Sequence, residues 1–456
     1  MTRTTLLESR DAAPKVIVRT VKGLFSPDAR WRDKTVVFRR TVTMGREGGP
    51  EDIVIDDPLM SRRHAELKVV SDDGAVGIRD LESRNGTYLD GERIATDFVV
   101  LESGDVIRVG GTLLLFERFE RTGTAPVERS GRLIGTNRAI QSVLAQVGVA
   151  ARGVLPVLVV GETGTGKELV ATEIHERSGR EGRLVAVNCA AIPRDLFESA
   201  FFGHRKGSFS GASDDRGGYF QGADKGTLLL DEIGEMPLDA QAKLLRTIET
   251  MEVTPVGETR AVKVDARIVA ATNRRLDDEV THGRFRGDLL ARLRGITIPL
   301  PPLRERRDDL LLLLEHFLGR AGRSLVLTAD FVERFLLHRW RENVRELEHA
   351  THRLVLATRD GDTLRAADAE KILVSAAQGD GTRAGRKPDP LQETPAAGVV
   401  LTKPIMPSRE ALEAAFAEAG GKIVAVAAKF HTNRQQVYRW LDYLDMTIDD
   451  LRGKKS

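Results

Sequence analysis

The feature that most constrains the fold of this chain is a glycine-rich loop between an apolar run and a helical pattern, in "VLVVGETGTGKELVATEIHE". Glycines in such a loop let backbone N–H groups turn toward a phosphate, and the following helix presents its positive end. Lys167 is placed to reach the terminal phosphates of a nucleotide. The loop therefore predicts an α/β nucleotide-binding domain whose ligand contacts come from Gly161, Glu162, Thr163, Gly164, Thr165, Gly166, Lys167 and Glu168.

The strict form of this motif continues with Ser or Thr, whose hydroxyl ligates Mg²⁺, whereas this chain has Glu168. A second segment, "GTLLLDEIGEMP", supplies a buried strand that ends in Asp231 and Glu232. Nucleotides bind at the carboxyl ends of strands in open α/β sheets. Asp231 is predicted to hold Mg²⁺ or its water, and Glu232 to orient and deprotonate the attacking water. The alternative is a strand that ends in two solvated acids.

Phosphoryl transfer also requires cations near the developing charge. The segment "GRFRGDLLARLRG" offers Arg286 and Arg292, which otherwise read as solvated helix arginines. The segment "RWRENVRELEHA" offers Arg345 on a helix predicted to cap the nucleotide. A further buried strand, "RIVAATNRR", ends in Thr272 and Asn273, which could sense a γ-phosphate or position water.

The chain has 456 residues, too many for one core, and its texture changes along its length. Short alternating runs over 15–118 predict an all-β sandwich, followed by a polar linker at 119–132. Strand-like runs alternate with helical patterns over 133–376, which predicts a parallel sheet with crossover helices. Residues 377–407 are rich in Gly, Pro and charge, so we expect a disordered linker. Residues 408–456 read as a small all-helical domain.

The segment 133–376 resembles the AAA+ ATPase domain of bacterial enhancer-binding proteins, the NtrC-like activators of sigma-54 RNA polymerase. The resemblance is carried by "GETGTGKE" with its glutamate after the lysine, "LVAVNCAAIP", "GEMPLDAQAKLLR", "FRGDLLARL" and "LPPLRERR". It implies a P-loop ATPase with a helical lid, ATP and Mg²⁺ as cofactors, and a homo-oligomeric ring that is usually a hexamer.

The same resemblance implies roles for individual residues. Asn188 would switch the catalytic Glu232. Arg286 and Arg292 would reach into the site of a neighbouring subunit, and Arg345 would be a second nucleotide sensor.

The segment "GSFSGA" occupies the place of the family's Gly-Ala-Phe-Thr-Gly-Ala loop, which grips the sigma factor. The resemblance therefore implies sigma-54 contacts by Gly207, Ser208, Phe209, Ser210, Gly211 and Ala212. This chain departs from the family in having Ser208 for Ala, Ser210 for Thr and Arg205 for an acidic residue. It also has "WREN" from Trp340 in place of a Trp-Pro-Gly-Asn turn.

The N-terminal sandwich contains "MGRE", "SRRHAEL" and "SRNGTYLDGERI", which together resemble a forkhead-associated (FHA) domain, a module that binds phosphothreonine peptides. The chemistry agrees with this, because arginines and hydroxyls form charge-assisted hydrogen bonds with a phosphate dianion. The predicted phosphothreonine-binding residues are Arg46, Ser61, Arg62, Arg84 and Asn85. A Ser/Thr kinase or another phosphothreonine protein is the implied partner.

The C-terminal segment resembles the Fis-type helix-turn-helix that closes most enhancer-binding proteins. Its recognition helix would begin near Thr432, a suitable N-cap. Gln and Arg are suited to reading adenine and guanine edges of double-stranded DNA at an enhancer site. The DNA-binding residues would be Thr432, Asn433, Arg434, Gln435, Gln436 and Arg439. The alternative is a three-helix dimerisation bundle.

The net charge of +2 excludes a general electrostatic attraction to nucleic acid, and the single Cys189 excludes an internal disulfide. The apolar runs are shorter than the roughly 20 residues that span a bilayer, so we expect a soluble, cytoplasmic protein without a membrane partner. The resemblances to the enhancer-binding proteins and to the FHA domain imply an ATP-dependent activator of sigma-54 RNA polymerase that is regulated through phosphothreonine recognition. The alternatives are an AAA+ remodeler of another client and a nucleotide-switched DNA-binding scaffold.

Overall fold

The computed structural model describes residues 16–48, 52–71, 74–121, 132–208, 214–374, 399–401, 409–419, 423–430, 437, 440, 441 and 446. Its N-terminal part is a β-sandwich with sheet orders β2-β1-β11-β10-β7-β8 and β4-β3-β5-β6-β9. The strands are β1 (Val16–Phe25), β2 (Thr35–Val37), β3 (Val42–Gly45), β4 (Ile53–Val54), β5 (Ala65–Val69), β6 (Val76–Asp80), β7 (Thr87–Leu89), β8 (Glu92–Arg93), β9 (Val99–Leu101), β10 (Val106–Val109) and β11 (Thr112–Arg121).

Alternation of apolar and polar residues places every second side chain of these strands between the two sheets. The sandwich core is one cluster of buried apolar side chains, which includes Met44, Leu67, Ile78, Ile107 and Phe116. The all-β sandwich predicted from the sequence is therefore confirmed.

The next part is an α/β domain around a five-stranded parallel sheet with the order β13-β14-β17-β12-β18. Strands β14 and β17 consist almost entirely of buried residues, as expected for strands covered on both faces. The elements are α1 (Arg138–Arg152), β12 (Val157–Val160), α2 (Lys167–Ser178), β13 (Leu184–Asn188), α3 (Phe197–Phe202), α4 (Tyr219–Gly222), β14 (Thr227–Asp231), α5 (Leu238–Thr250), β15 (Glu252–Val253), β16 (Val262–Lys263), β17 (Arg267–Thr272), α6 (Leu276–Thr281), α7 (Gly287–Leu293) and β18 (Ile296–Pro299).

A helical lid follows, built from α8 (Leu310–Arg320), α9 (Ala329–Leu337), α10 (Asn343–Ala357) and α11 (Ala366–Val374). It carries a small sheet of β19 (Leu325–Leu327), β20 (Thr363–Leu364) and β21 (Val399–Leu401), in the order β20-β19-β21. The α/β domain and the helical lid predicted from the sequence are confirmed.

Strand β21 corrects one prediction, because it lies inside the 377–407 segment expected to be disordered. Its residues pair antiparallel with β19, with Val400 opposite Val326. The composition of the whole segment hides the apolar triplet "VVL", which can add a strand to an open sheet edge. The prediction is wrong for these three residues, and the rest of that segment lies outside the described residues.

The sandwich packs directly on the lid. One buried apolar cluster combines Phe25, Val106, Leu113 and Leu115 of the sandwich with side chains of α8, α9 and α10. Residues 106 and 108 on β10 therefore face the lid, whereas Ile107 faces the sandwich core.

The C-terminal part contains α12 (Arg409–Glu418) and α13 (Ile423–Lys429). Ala427 of α13 belongs to one buried apolar cluster together with Val437 and Leu441. The predicted DNA-reading residues 432–436 and 439 lie outside the described residues. Within the described ranges, no helix is long and apolar enough to cross a membrane.

Candidate functional site

The parallel sheet brings the predicted strand-end residues to one edge. Asn188 at the end of β13 is in register with Asp231 at the end of β14. At the end of β17, the carbonyl of Thr272 accepts a hydrogen bond from the N–H of Gly161, at 3.1 Å. The phosphate loop and the acidic pair therefore meet at the carboxyl edge of the sheet, as the sequence predicts.

The phosphate loop has the backbone that its glycines allow. Gly164 and Gly166 have φ angles of 76° and 103°, and α2 begins directly after Gly166. A Cβ on Gly164 would lie 2.0 Å from the carbonyl oxygen of Glu342, so no other residue fits there. Thr165 is buried and its hydroxyl donates to the carbonyl of Glu162 at 2.8 Å, which closes the loop.

Lys167 lies at the centre of this loop and is 7% exposed. Its Nζ donates to the carbonyl of Gly161 at 3.0 Å and lies 3.5 Å from Oε1 of Glu232. Glu168 is exposed in the first turn of α2, where a negative side chain is favoured by the helix dipole. The motif's unusual glutamate thus occupies a position suited to its charge.

The acidic pair has an unusual backbone. Glu232 has φ 48° and ψ 50°, a left-handed conformation that costs a non-glycine residue about 1–3 kcal/mol. Its Oε2 accepts a hydrogen bond from the N–H of Asn273 at 3.3 Å. Burial and the neighbouring charge of Glu232 raise the pKa of Asp231.

The Asp231 carboxylate is suited to a divalent cation, which would relieve the cost of its burial and of its acidic neighbour. No group of three or more His, Cys, Asp or Glu side chains suited to a metal occurs in the described part of the chain. Mg²⁺ does not need such a group, since it is commonly held by one or two carboxylates together with substrate phosphates. The residues at this edge therefore fit an ATP-bound Mg²⁺.

Asn273 joins the phosphate loop to the acidic pair. Its side-chain amide donates to the hydroxyl of Thr163 at 3.1 Å, while its backbone N–H contacts Glu232. Thr272 is buried, and its hydroxyl accepts from the N–H of Arg274 at 3.0 Å. The Oδ1 of Asn188 accepts from the N–H of Ala190 at 2.9 Å, so its side chain caps a short turn. Of these residues, Asn273 makes the direct contact with Glu232.

Two residues that the sequence analysis did not select hold the phosphate loop from the lid side. Asn343 donates to the carbonyl of Thr163 at 2.9 Å and to the Glu162 carboxylate at 3.2 Å. Arg304 makes a bidentate ion pair with Glu162, at 2.8 and 2.6 Å, and this hydrogen bonding lowers the pKa of Glu162. Both signals were in the sequence, since Asn343 ends the "WREN" turn and Arg304 lies in "LPPLRERR".

The predicted arginines occupy two kinds of position. Arg345 on α10 is exposed, and its Cβ lies 3.0 Å from the position that a Cβ on Gly164 would take. It therefore borders the phosphate loop. Arg286, which directly precedes the short helix α7, is exposed and pairs with Asp288 at 2.8 Å, and Arg292 is exposed within α7.

The loop resembling the sigma-factor grip has a paired stem. His204 and Arg216 exchange two backbone hydrogen bonds of 2.9 Å, and Arg205 forms an ion pair with Asp215 at 2.7 Å. Gly207 has φ 81° and is followed by Ser208. The other predicted contact residues of the loop, 209–212, lie outside the described residues.

The sandwich brings the predicted phosphothreonine residues together on three neighbouring loops. Arg46, Arg62 and Arg84 are exposed, and the N–H of Arg46 donates to the carbonyl of Ser61 at 3.0 Å. The hydroxyl of Ser61 accepts from the N–H of Arg84 at 3.0 Å. The side-chain amide of Asn85 donates to the carbonyl of Leu59 at 2.6 Å. Backbone hydrogen bonds thus hold Arg46 and Arg84 next to Ser61, and the three arginine side chains are exposed on these loops.

Comparison with known families gives a match for each of three parts of this chain. Residues 133–299 match the Sigma-54 interaction domain, residues 304–385 match the AAA+ ATPase lid domain, and residues 42–110 match the FHA domain. The chain therefore combines an FHA sandwich with an AAA+ α/β domain of the sigma-54 interaction type and its lid.

Particular relatives are similar over about half of this chain. The nitric oxide reductase transcription regulator NorR1 of Cupriavidus necator is 49% identical over 240 residues, which cover 51% of this chain and 46% of that protein. The regulatory protein LuxO of Vibrio cholerae is 49% identical over 233 residues, covering 50% and 44%. This chain thus matches about half the length of these curated relatives. A crystal structure of NtrX from Brucella abortus in complex with ATP is 29% identical, covers 69% of this chain and 70% of that one, and has a TM-score of 0.49.

Proposed function

We propose that this chain is an ATP-dependent transcription activator that remodels the closed complex of sigma-54 RNA polymerase. The observation that carries this proposal is the position of Glu232, with Lys167 on one carboxylate oxygen and Asn273 on the other. A carboxylate fixed in this way beside a phosphate loop is placed to act on an attacking water.

Each residue of the edge has a proposed task in ATP hydrolysis. Backbone N–H groups of the loop and Nζ of Lys167 bind the phosphates, and Arg345 adds positive charge from the lid. Glu232 accepts the proton of the attacking water, while Asn273 keeps the Glu232 carboxylate oriented. Asp231 would hold Mg²⁺, which when bound neutralises phosphate charge.

A homo-oligomeric ring, with six subunits as in the resembling family, completes the proposal. The exposure of Arg286 and Arg292 supports it, because both guanidinium groups lie on the surface and away from the buried core. In the ring they would reach the nucleotide of the adjacent subunit. Asn188, adjacent to Asp231 in the sheet, would report the state of Glu232 to the segment that follows β13.

The client would be contacted by residues 207–212, with Phe209 as the main contact. The paired stem at His204 and Arg216 supports this, since it anchors both ends of the loop on the α/β domain. NorR1 is a transcription regulator and LuxO a regulatory protein by name, and transcription regulation is the function that we carry over to this chain.

We further propose two recognition domains around the ATPase at 133–376. The sandwich at 15–118 would bind a phosphothreonine protein or Ser/Thr kinase through Arg46 and its neighbouring loops. The helices within 408–456 would bind double-stranded DNA upstream of the promoter. Residues 119–132, and 377–407 apart from β21, would serve as linkers.

The deciding experiment is in vitro transcription from a sigma-54 promoter, with the full chain, ATP, and a phosphothreonine peptide added or omitted. We expect ATP-dependent open complexes, and we expect Phe209→Ala to abolish them while ATP hydrolysis continues. Ser199→Ala, on α3 outside the loop, is the control that should retain both. ATP turnover without open complexes would favour another client, and absence of turnover would favour a scaffold.

A further inference from the structure

We propose that the FHA sandwich is a docked positioning element of the ATPase, and that Arg108 and Glu333 are its positioning residues. The inference rests on the proposed ATPase function for its consequence, but the docking itself is independent of it. The sandwich would hold the lid, and through the lid the phosphate loop, in the geometry that binds nucleotide.

The central contact is a buried ion pair between the two parts of the chain. Nε of Arg108 on β10 lies 3.0 Å from both carboxylate oxygens of Glu333 on α9. The two side chains are only 2% and 3% exposed. The guanidinium also stacks over the ring of Tyr88, 3.6 Å from its centre. A buried charge is tolerated only with its partner, so this pair fixes one relative placement of sandwich and lid.

Further polar contacts join the sandwich to the lid side of the chain. Nζ of Lys22 on β1 contacts Asp308 beside the lid at 2.7 Å, and both side chains are nearly buried. Burial alone would lower the pKa of Lys22, but the charge and hydrogen bond of Asp308 outweigh it and raise that pKa. Arg307 donates to the carbonyl of Gly104 at 2.7 Å. Several separate contacts of charged side chains thus hold the sandwich in place, which a flexible linker alone would not do.

Strand β10 and residues 112–116 of β11 are buried on both faces because of this docking. Ile107 and Leu114 point into the sandwich core, whereas Val106, Leu113 and Leu115 join the apolar cluster of the lid. Separating the two parts would expose this second apolar face to water, which is unfavourable. The lid is therefore the partner that this face of the sandwich fits.

The lid connects the ion pair to the phosphate loop in a few contacts. Helix α9 carries both Glu333 and Phe335, and the carbonyl of Phe335 accepts from the Trp340 indole N–H at 2.8 Å. The carbonyl of Trp340 accepts from the N–H of Asn343 at 2.8 Å. Asn343 then contacts Thr163 in the phosphate loop. A shift of α9 would therefore move a side chain that touches the loop.

The same strands support the loop that carries the phosphothreonine residues. Asp57 accepts hydrogen bonds from the N–H of Gly111 and the hydroxyl of Thr112, both at 2.8 Å, at the turn between β10 and β11. Asp57 also accepts from the N–H of Leu59, whose carbonyl binds Asn85. Peptide binding at Asn85 and nucleotide binding at the phosphate loop should therefore change each other's affinity by the same factor.

The test uses the full chain with Arg108→Ala and a matched control, Arg79→Ala. Arg79 also pairs with a glutamate, Glu66 at 2.7 Å, and also lies over an aromatic ring, that of Phe98, but it is in the sheet that does not face the lid. Arg108→Ala should accelerate amide hydrogen exchange in α9 and raise the KM for ATP by about fivefold or more, with a smaller change in kcat. Arg79→Ala should leave α9 exchange and KM unchanged.

A charge-swapped double variant, Arg108→Glu with Glu333→Arg, should recover part of the lost affinity, which loss of fold alone would not do. Arg307→Ala provides a milder disruption if Arg108→Ala does not fold, and it should also accelerate exchange at the interface. Unchanged α9 exchange and unchanged KM in a folded variant would overturn the proposal. A wild-type chain that hydrolyses no ATP would instead refute the proposed function, while the exchange measurement would still decide the docking.

Discussion

The side-chain amide of Asn343 lies 2.9 Å from the carbonyl oxygen of Thr163, so the first residue of lid helix α10 is bonded to the phosphate loop. The same side chain accepts a hydrogen bond from the N–H of Leu303 at 2.7 Å. One amide thus ties the lid, the loop and the segment between them. Its conformation, with φ 55°, is one that Asn and Gly adopt more readily than other residues.

We therefore predict that Asn343→Gly weakens nucleotide binding by about tenfold, because it keeps the backbone conformation and removes hydrogen bonds worth roughly 1–3 kcal/mol when buried partners are left unpaired. The measurement is the Kd of ATP by calorimetry. Arg320→Ala, which removes an exposed ion pair with Glu348 elsewhere on the lid, is the control and should not change Kd. Equal affinity of the Asn343→Gly variant would show that the lid contact does not support the loop.

A second prediction concerns the proposed base. Glu232→Gln should lower the kcat for ATP hydrolysis by about 10²–10⁴-fold, because glutamine cannot accept the proton of water. ATP binding should persist, since the loop and Lys167 are untouched. Steady-state turnover and Kd together check this. Glu235→Gln, a nearby exposed acid paired with Arg274, should retain turnover, and unchanged turnover in Glu232→Gln would assign the base elsewhere.

A third prediction follows from Asp309, which is fully buried. Its Oδ1 accepts from the N–H groups of Thr136 and Asn137, while Oδ2 has no hydrogen-bond partner among the described residues. Burial and the charge of Asp308 raise the pKa of Asp309 from 3.8 to about 6. The folded state therefore binds this proton more tightly than the unfolded state, and stability from this group is present below about pH 4 and lost as pH rises through 6.

Asp309→Asn should remove this dependence, because its amide oxygen can still accept and its side chain carries no charge. We expect the variant to be more stable than wild type at pH 7.5 by about 1–3 kcal/mol, with the difference shrinking toward pH 4.5. Urea unfolding at both pH values checks this. Asp239→Asn, an exposed aspartate on α5, should show no such difference. A constant difference across pH would contradict the assignment.

A fourth prediction concerns the sandwich. Arg46→Ala should weaken binding of a phosphothreonine peptide by at least about tenfold, because a charge-assisted hydrogen bond to phosphate is lost. Arg39→Ala is the matched control, since this exposed arginine precedes β3 whereas Arg46 follows it, which separates them by the length of the strand. Fluorescence anisotropy with the peptide in phosphorylated and unphosphorylated form measures both. Equal loss in the two variants would indicate general charge attraction.

The sequence was sufficient to predict those site residues that belong to a local sequence pattern. The loop around Lys167, the acidic end of β14 and Asn273 are each local patterns, and a parallel sheet necessarily gathers its strand ends at one edge. It was not sufficient for Arg304 and Asn343, because their roles depend on where the lid folds back. Neither residue is adjacent in sequence to the loop that it contacts.

The left-handed backbone of Glu232 was equally hidden from the sequence, since nothing in "LLLDEIG" distinguishes that φ angle. The docking of the sandwich on the lid is indicated by one feature of the sequence. The run "TLLLF" at the start of β11 is apolar without alternation, which is typical of a strand covered on both faces. The lid helices that cover the second face lie more than 190 residues later, so this run does not show which segment covers it. The same holds for the ion pair of Arg108 and Glu333, whose members are 225 residues apart.

The apolar cluster that spans Leu113, Leu115 and the lid helices also affects how this protein unfolds. Two regions that family comparison treats as separate modules share one interior, so heating should melt them in a single calorimetric transition. If the chain were cut between them, each fragment would expose an apolar surface that also carries unpaired charges, and each fragment would tend to self-associate. Regions that family comparison recognises as separate domains need not fold independently of each other.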